Sequence, residues 1–161
     1  MDRAELEQQL EELHPASFAW ALGCCGRDRQ LAEDVLQETY LKIFQGKAQF
    51  GGRSTLKTWL FSVIRRTAAR QRRFRWLRGI PLLITSEPES AERCLIQSER
   101  ASALLRALGR LARRQREIVE LVFYHDLTIE QAAGVIGVSI GTARVHYQRA
   151  KQRLREELHD R

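Results

Sequence analysis

Four side chains close together near the C-terminus carry the clearest chemistry in this chain: Arg144, Val145, Gln148 and Arg149. Arginine matches the hydrogen-bonding edge of guanine and glutamine that of adenine, while an outward-facing valine makes little sense in water but can meet a thymine methyl. The chemistry these residues suggest is recognition of base edges, with no bond made or broken. Earlier in the chain, Asp34, Gln37, Glu38 and Leu41 recur at i, i+3, i+4 and i+7. An acidic stripe with an exposed leucine repels DNA and suits docking to another protein, although the same spacing also describes an ordinary solvated helix face. Between these two sets, seven arginines and no acid lie from Arg65 to Arg78. Basic side chains interleaved with Phe61, Phe74 and Trp76 fit a nucleic-acid surface, where rings can stack on unpaired bases.

Each set needs a helix to hold it in register. Ala143, Tyr147, Ala150 and Leu154 fall at i, i+4, i+7 and i+11 and make a buried stripe. That stripe leaves Gly141, Arg144, Val145, Gln148, Arg149 and Gln152 on the outward half of the same helix. Thr142, Lys151, Arg153 and Arg155 are placed for phosphate contact or for solvated charge. Ser139 is the N-cap of this helix, and Gly137-Val138-Ser139 is the turn before it. Thr128-Ile129-Glu130-Gln131 reads as a capping box that opens a shorter helix, in which Ala132 and Ala133 are small enough for the second helix to cross closely. Short helix, glycine-containing turn and longer helix are helix-turn-helix grammar. Ser139, Gly141, Thr142, Arg144, Val145, Gln148, Arg149 and Lys151 are the expected DNA-contacting set.

The N-terminal half is helical by the same criterion. Leu6, Leu10 and Leu13 open a first helix, Pro15 lies just after that repeat, and a second apolar patch spans Phe18 to Leu22. Ala32, Val35, Leu36, Tyr40 and Ile43 predict an amphipathic helix that closes near Gly46. Gln45 to Ser54, with three glycines, reads as a loop in which Phe50 and Arg53 could close over a base. A long helix should start near Thr55, run through Leu56, Leu60, Val63, Ile64 and Thr67, and stop at Gly79 and Pro81. Arg65, Ala69, Arg72 and Trp76 share one stripe of it, and Trp59 sits near its buried edge, which favours a core role over a stacking platform. Residues 79–98 have no sustained period and read as a flexible linker, after which Leu104, Leu105, Leu108, Leu111, Ile118, Leu121 and Val122 restore the helical pattern. The expected fold class is all-α, with two small helical domains (1–78 and 99–161) joined by that linker.

Charge supports two different partners. Residues 1–45 hold nine acids against four bases, a net of −5 in a chain whose total is +7, so the remainder carries +12. A polyanion suits the later segments and a protein the first. With 161 residues, 43% of them hydrophobic, the chain is long enough for one domain or two small ones. It has no apolar run long enough to insert in a membrane, and its polar, acidic start is unlike a secretory signal, so a cytoplasmic location is expected. Cys24, Cys25 and Cys94 make an odd count without CxxC spacing, which fits thiols in a reducing compartment. His14, His125, His146 and His159 form no ligand pair, and no glycine loop cradles phosphate, so no metal, cofactor or catalytic residue is expected. An enzyme built on Cys24 or Cys25 therefore fails on spacing, and a dimeric repressor would leave the acidic stripe without work.

The ordered set of motifs resembles the extracytoplasmic-function (group 4) sigma factors of bacterial RNA polymerase. Leu31-Ala32-Glu33-Asp34-Val35-Leu36-Gln37-Glu38-Thr39-Tyr40 and Trp59-Leu60-Phe61 are similar to sigma region 2. Arg116-Glu117-Ile118-Val119, Leu127 to Ala133, Val138 to Arg144 and Arg149-Ala150 are similar to region 4. The resemblance implies that Asp34, Gln37, Glu38 and Leu41 dock on the clamp helices of the β′ subunit of core RNA polymerase, with the β subunit as a further contact. It implies that Phe50, Arg53, Arg65, Arg66, Arg70, Arg72 and Arg73 melt and read the minus-ten promoter element. Arg144, Val145, Gln148 and Arg149 would enter the minus-thirty-five major groove of promoter DNA. An anti-sigma factor, free or membrane-bound, is the further partner the family implies. The chain departs from the pattern at Arg66, where Asn is frequent, at Arg70, where Asp is common, and at Ala112, where Pro is frequent. Ala112 predicts a less sharply defined helix start.

Overall fold

Apolar residues at helical spacing form helices throughout the computed structural model, which describes residues 1–80 and 99–160. The chain divides into two units, Met1–Thr85 and Ser86–Arg161. No strand occurs among the described residues, in agreement with an all-α fold.

The first unit is three helices, Arg3–Cys24 (α1), Arg29–Phe44 (α2) and Leu56–Leu77 (α3), each packed on the other two. The start of each is fixed by a side chain that accepts an otherwise unbonded N–H: Asp2 from Glu5, Asp28 from Leu31 at 3.0 Å and Thr55 from Thr58 at 3.1 Å. The core gathers around Trp20, which is fully buried; its ring stacks on Phe61 with centroids 5.7 Å apart, and its Nε1 donates to the Phe61 carbonyl at 3.0 Å. A buried indole needs such an acceptor, so this bond fixes how α1 lies on α3. Phe61 is thereby corrected from a nucleic-acid-facing ring to a core residue, because it shares the inner face of α3 with Leu60, Ile64 and Ala68.

Pro15 does not separate the leucine repeat from the second apolar patch; α1 runs through it as one helix. Proline there removes one backbone donor. Its ring is exposed, whereas Leu10, Ser17, Trp20, Ala21 and Cys24 are buried on the inner side, and that burial outweighs the missing bond. Residues 45–55 form the expected irregular connection.

The second unit holds Glu99–Gly109 (α4), Arg113–Val119 (α5), Ile129–Ile136 (α6) and Ile140–His159 (α7), with α7 packed on the other three. Ala112 stands at the start of α5 without a side-chain capping bond, as its apolar side chain dictates. From Glu120 to Tyr124, α5 widens into a π-helical turn. Of the expected linker, Gly79 and Ile80 belong to the end of α3, where the Ile80 N–H donates to the Arg75 carbonyl at 3.0 Å. Its remaining residues, 81–98, lie outside the described residues.

Candidate nucleic-acid and protein interfaces

In the second unit the base-reading set is built from its caps upward. Thr128 and Gln131 complete the capping box: Thr128 Oγ1 accepts from the Gln131 N–H at 3.1 Å, and Gln131 Oε1 from the Thr128 N–H at 3.0 Å. Gly137 closes α6 in the left-handed region, φ 71°, which glycine enters without steric cost. The N–H groups of Gly137 and Val138 both reach the Ala133 carbonyl, and Ser139 then caps α7 by accepting from Thr142 at 3.1 Å. Ala132 and Ala133 of α6 and Ala143 and Ala150 of α7 are buried, and the two helices pack on each other. Tyr147 and Leu154 extend the stripe half-buried.

The opposite face of α7 carries Gly141, Thr142, Arg144, Val145, Gln148, Arg149 and Gln152, all exposed, as is Ser139 before them. Val145 keeps 46% of its surface in water, a standing cost unless something apolar covers it. Arg144 lies 3.4 Å from Glu130 of α6, an exposed pair weak enough to exchange for a phosphate or base. Lys151 is half-buried, its ammonium 4.7 Å from the Tyr147 ring centroid. Two residues not singled out in the sequence present exposed rings elsewhere in the second unit. The π-turn exposes Phe123 and Tyr124, and the Phe123 ring stacks on Tyr147 at 6.0 Å. Their signal in the sequence is weak because a π-turn breaks the 3.6 period on which the reading depends.

In the first unit, Gln37 and Leu41 are exposed on α2, Leu41 at 54%, and a groove walled by His14, Phe18, Leu36 and Tyr40 opens beside Gln37. Asp34 and Glu38 are half-buried, and they are not the unopposed acidic stripe that the spacing suggests. Asp34 accepts from Arg75 at 3.3 Å and from Gln30 at 3.2 Å. Glu38 pairs with Arg70 and with Lys42 at 2.9 Å, and accepts from Gln71 at 2.6 Å. The cause is that α3 packs against α2 and brings its basic side chains onto the carboxylates. Burial, and then the neighbouring Arg66 charge, hold the Lys42 ammonium below its usual range.

Along α3, Arg66, Arg70 and Arg73 are exposed, while Arg65 and Arg72 are half-buried. Arg53 is exposed in the preceding loop, and Phe50 packs against Trp59 with ring centroids 5.5 Å apart. At the far end of α3, Phe74 and Trp76 are 53% and 75% exposed, as stacking rings would need to be. No group of three or more metal-ligating side chains occurs among the described residues.

These two helical bodies match known proteins in order. The family described as Sigma-70 region 2 matches residues 10–78, and Sigma-70, region 4 matches residues 101–154. The ECF RNA polymerase sigma factor RpoE of Cereibacter sphaeroides is 31% identical over 136 residues, covering 79% of this chain and 72% of that protein. The chain belongs to the ECF sigma factors of RNA polymerase. EcfG of Rhodopseudomonas palustris is 30% identical, covering 87% of this sigma factor and 77% of its relative. Against the longer RfaY of Xanthomonas campestris the match is 31% identical but spans only 35% of that protein. Among solved structures, the sigma factor RpoE of Bartonella quintana, in complex with the anti-sigma factor NepR, superposes with a TM-score of 0.77 at 29% identity, covering 96% of both chains. This ECF sigma factor therefore carries the two regions that direct transcription initiation by RNA polymerase. None of its described helices is long and apolar enough to cross a membrane.

Proposed function

We propose that this sigma factor is a cytoplasmic promoter-specificity subunit without catalytic activity of its own, and that its two units divide the work. Gln37 and Leu41, with Asp34 and Glu38 beside them, dock on the β′ clamp helices of core polymerase. Phe50 and Arg53 of the loop, with Arg65, Arg66, Arg70, Arg72 and Arg73 of α3, hold the unpaired minus-ten bases. On α7, Arg144, Val145, Gln148 and Arg149 read base edges at minus-thirty-five, and Ser139, Gly141, Thr142 and Lys151 set the register through the phosphates. The β subunit is a further polymerase contact. An anti-sigma factor, free or membrane-anchored, is the natural antagonist, since a relative of 29% identity is held by one.

The observation that carries this reading is α7 itself: alanines fully buried at 143 and 150, and an arginine- and glutamine-bearing face left in solvent with a half-exposed valine in its middle. A dimeric repressor would use that face too, but it gives α2 no partner. Run-off transcription with purified core enzyme on a promoter library tests the proposal. Initiation at a defined subset of promoters, dependent on this chain, is the expected result; no initiation anywhere with folded protein overturns it.

A further inference from the structure

Glu38 is where two faces that the proposed function keeps apart come together. Its Oε1 pairs with Arg70 and, at 2.9 Å, with Lys42, while its Oε2 accepts from Gln71 at 2.6 Å. Arg70 is the middle member of an exposed row on α3, Arg66, Arg70 and Arg73, at i, i+4 and i+7. Arg75, five residues on, makes a different kind of contact. Its guanidinium is only 20% exposed and lies 3.3 Å from Asp34 and 3.7 Å from Asp28, the buried carboxylate that caps α2.

The two arginines differ in what it takes to release them. Removing Arg75 would leave a buried carboxylate without its cation, which is strongly unfavourable. Arg70 has a side chain 65% exposed to water, and a pair so exposed contributes at most about 1 kcal/mol. When Arg70 leaves, Glu38 still has Lys42 and Gln71, so no orphaned charge results. Arg75 is a strut; Arg70 is replaceable.

We propose that Arg70 is an exchangeable partner of Glu38: in the free protein it occupies the carboxylate that docking needs, and a cation presented by the polymerase displaces it. The inference rests on the docking role of α2 given above. Once displaced, the Arg70 guanidinium rejoins the row of Arg66 and Arg73, where it faces nucleic acid. Docking on a protein and acquiring one more phosphate-binding cation then become a single event. Linkage makes the coupling reciprocal: a nucleic-acid strand that draws Arg70 away also frees Glu38 for the polymerase.

The test uses the full chain with Arg70→Ala, and Arg70→Gln as a second variant that keeps the length of the side chain without its charge. Affinity for core polymerase without DNA should rise about 2- to 5-fold, because a competitor of up to about 1 kcal/mol is gone. In a Glu38→Gln background the same change should have no effect. In assembled holoenzyme, Arg70→Ala should lower the slope of log affinity for a single-stranded minus-ten fragment against log salt by about 0.7, one phosphate contact. Unchanged or weaker core affinity in the Arg70 variants, or a gain that persists without the Glu38 carboxylate, overturns the exchange. Failure of the unmodified chain to bind core polymerase would instead strike the docking reading, so the two failures are separable.

Discussion

Gln37 and Leu41 offer the cleanest probe of the α2 face, since both side chains are in solvent. Leu41→Arg should lower affinity for core polymerase more than tenfold, by setting a cation where an apolar contact is expected. Being a surface change, it should move stability by no more than about 0.5 kcal/mol; equilibrium binding and a thermal melt on the same preparation check both. Asp34→Arg is a poorer probe than the sequence alone suggests, because it places two guanidinium groups together at Arg75 and strains the α2–α3 contact. On α7, Arg149→Ala should cost roughly 1–3 kcal/mol at one or two upstream base pairs. Equal weakening on all sequences, measured by transcription from a promoter series, would reassign Arg149 to a phosphate. Tyr40 supplies a pH test: burial, partly offset by the nearby Ser17 hydroxyl, holds its phenol above the usual 10.0. The folded state then keeps the proton longer than the unfolded one, so this stability is complete below pH 10.0 and is lost as pH rises through the raised value. Tyr40→Phe should remove a phenolate step lying above pH 10.0 from an ultraviolet titration of the protein.

At the scale of single elements, caps and breakers should report on helices without touching the contact faces. Thr128→Ala breaks the capping box of α6 and should destabilise the second unit by about 1 kcal/mol, read from denaturant melts. Because Ala132 and Ala133 support α7 from behind, a loss of upstream promoter use in that variant should track unfolding rather than a change in base preference. Pro15→Ala is expected to act in the opposite direction. The proline ring is exposed, so alanine restores a backbone hydrogen bond inside α1 without disturbing Trp20, and the melting temperature should rise. A fall would mean that Pro15 itself is needed for α1 to lie on both of its neighbours.

For the whole molecule, two modest contacts on one chain gain strength through effective concentration once the polymerase holds both units. The isolated sigma factor should therefore bind promoter DNA weakly in a mobility-shift assay, and holoenzyme should bind it tightly, with a steep salt dependence set by the +12 carried after residue 45. Tight, sequence-specific binding by the chain alone would favour a self-sufficient repressor. The division of charge, −5 before that point and +12 after it, supports the proposed split between a protein-docking portion and a nucleic-acid-binding one.

How much of this was legible beforehand depends on whether the information is local. Most helix positions, the start of α3 near Thr55, the caps at Thr128 and Ser139, the turn glycine at 137 and the outward face of α7 are written in spacings of three and four residues, so the sequence alone determined them, whereas the cap at Asp28 and the run of α1 through Pro15 emerged only in the structure. Which helix lies against which is decided only when the chain packs. Phe61 looked available to DNA until Trp20, 41 residues away, took it into the core. Glu38 looked free until Arg70, 32 residues away, reached it. A carboxylate's charge is fixed by its residue type, but the cation beside it is chosen by tertiary contact, and that choice made an apparent acidic stripe into a set of paired charges with only Gln37 and Leu41 left open.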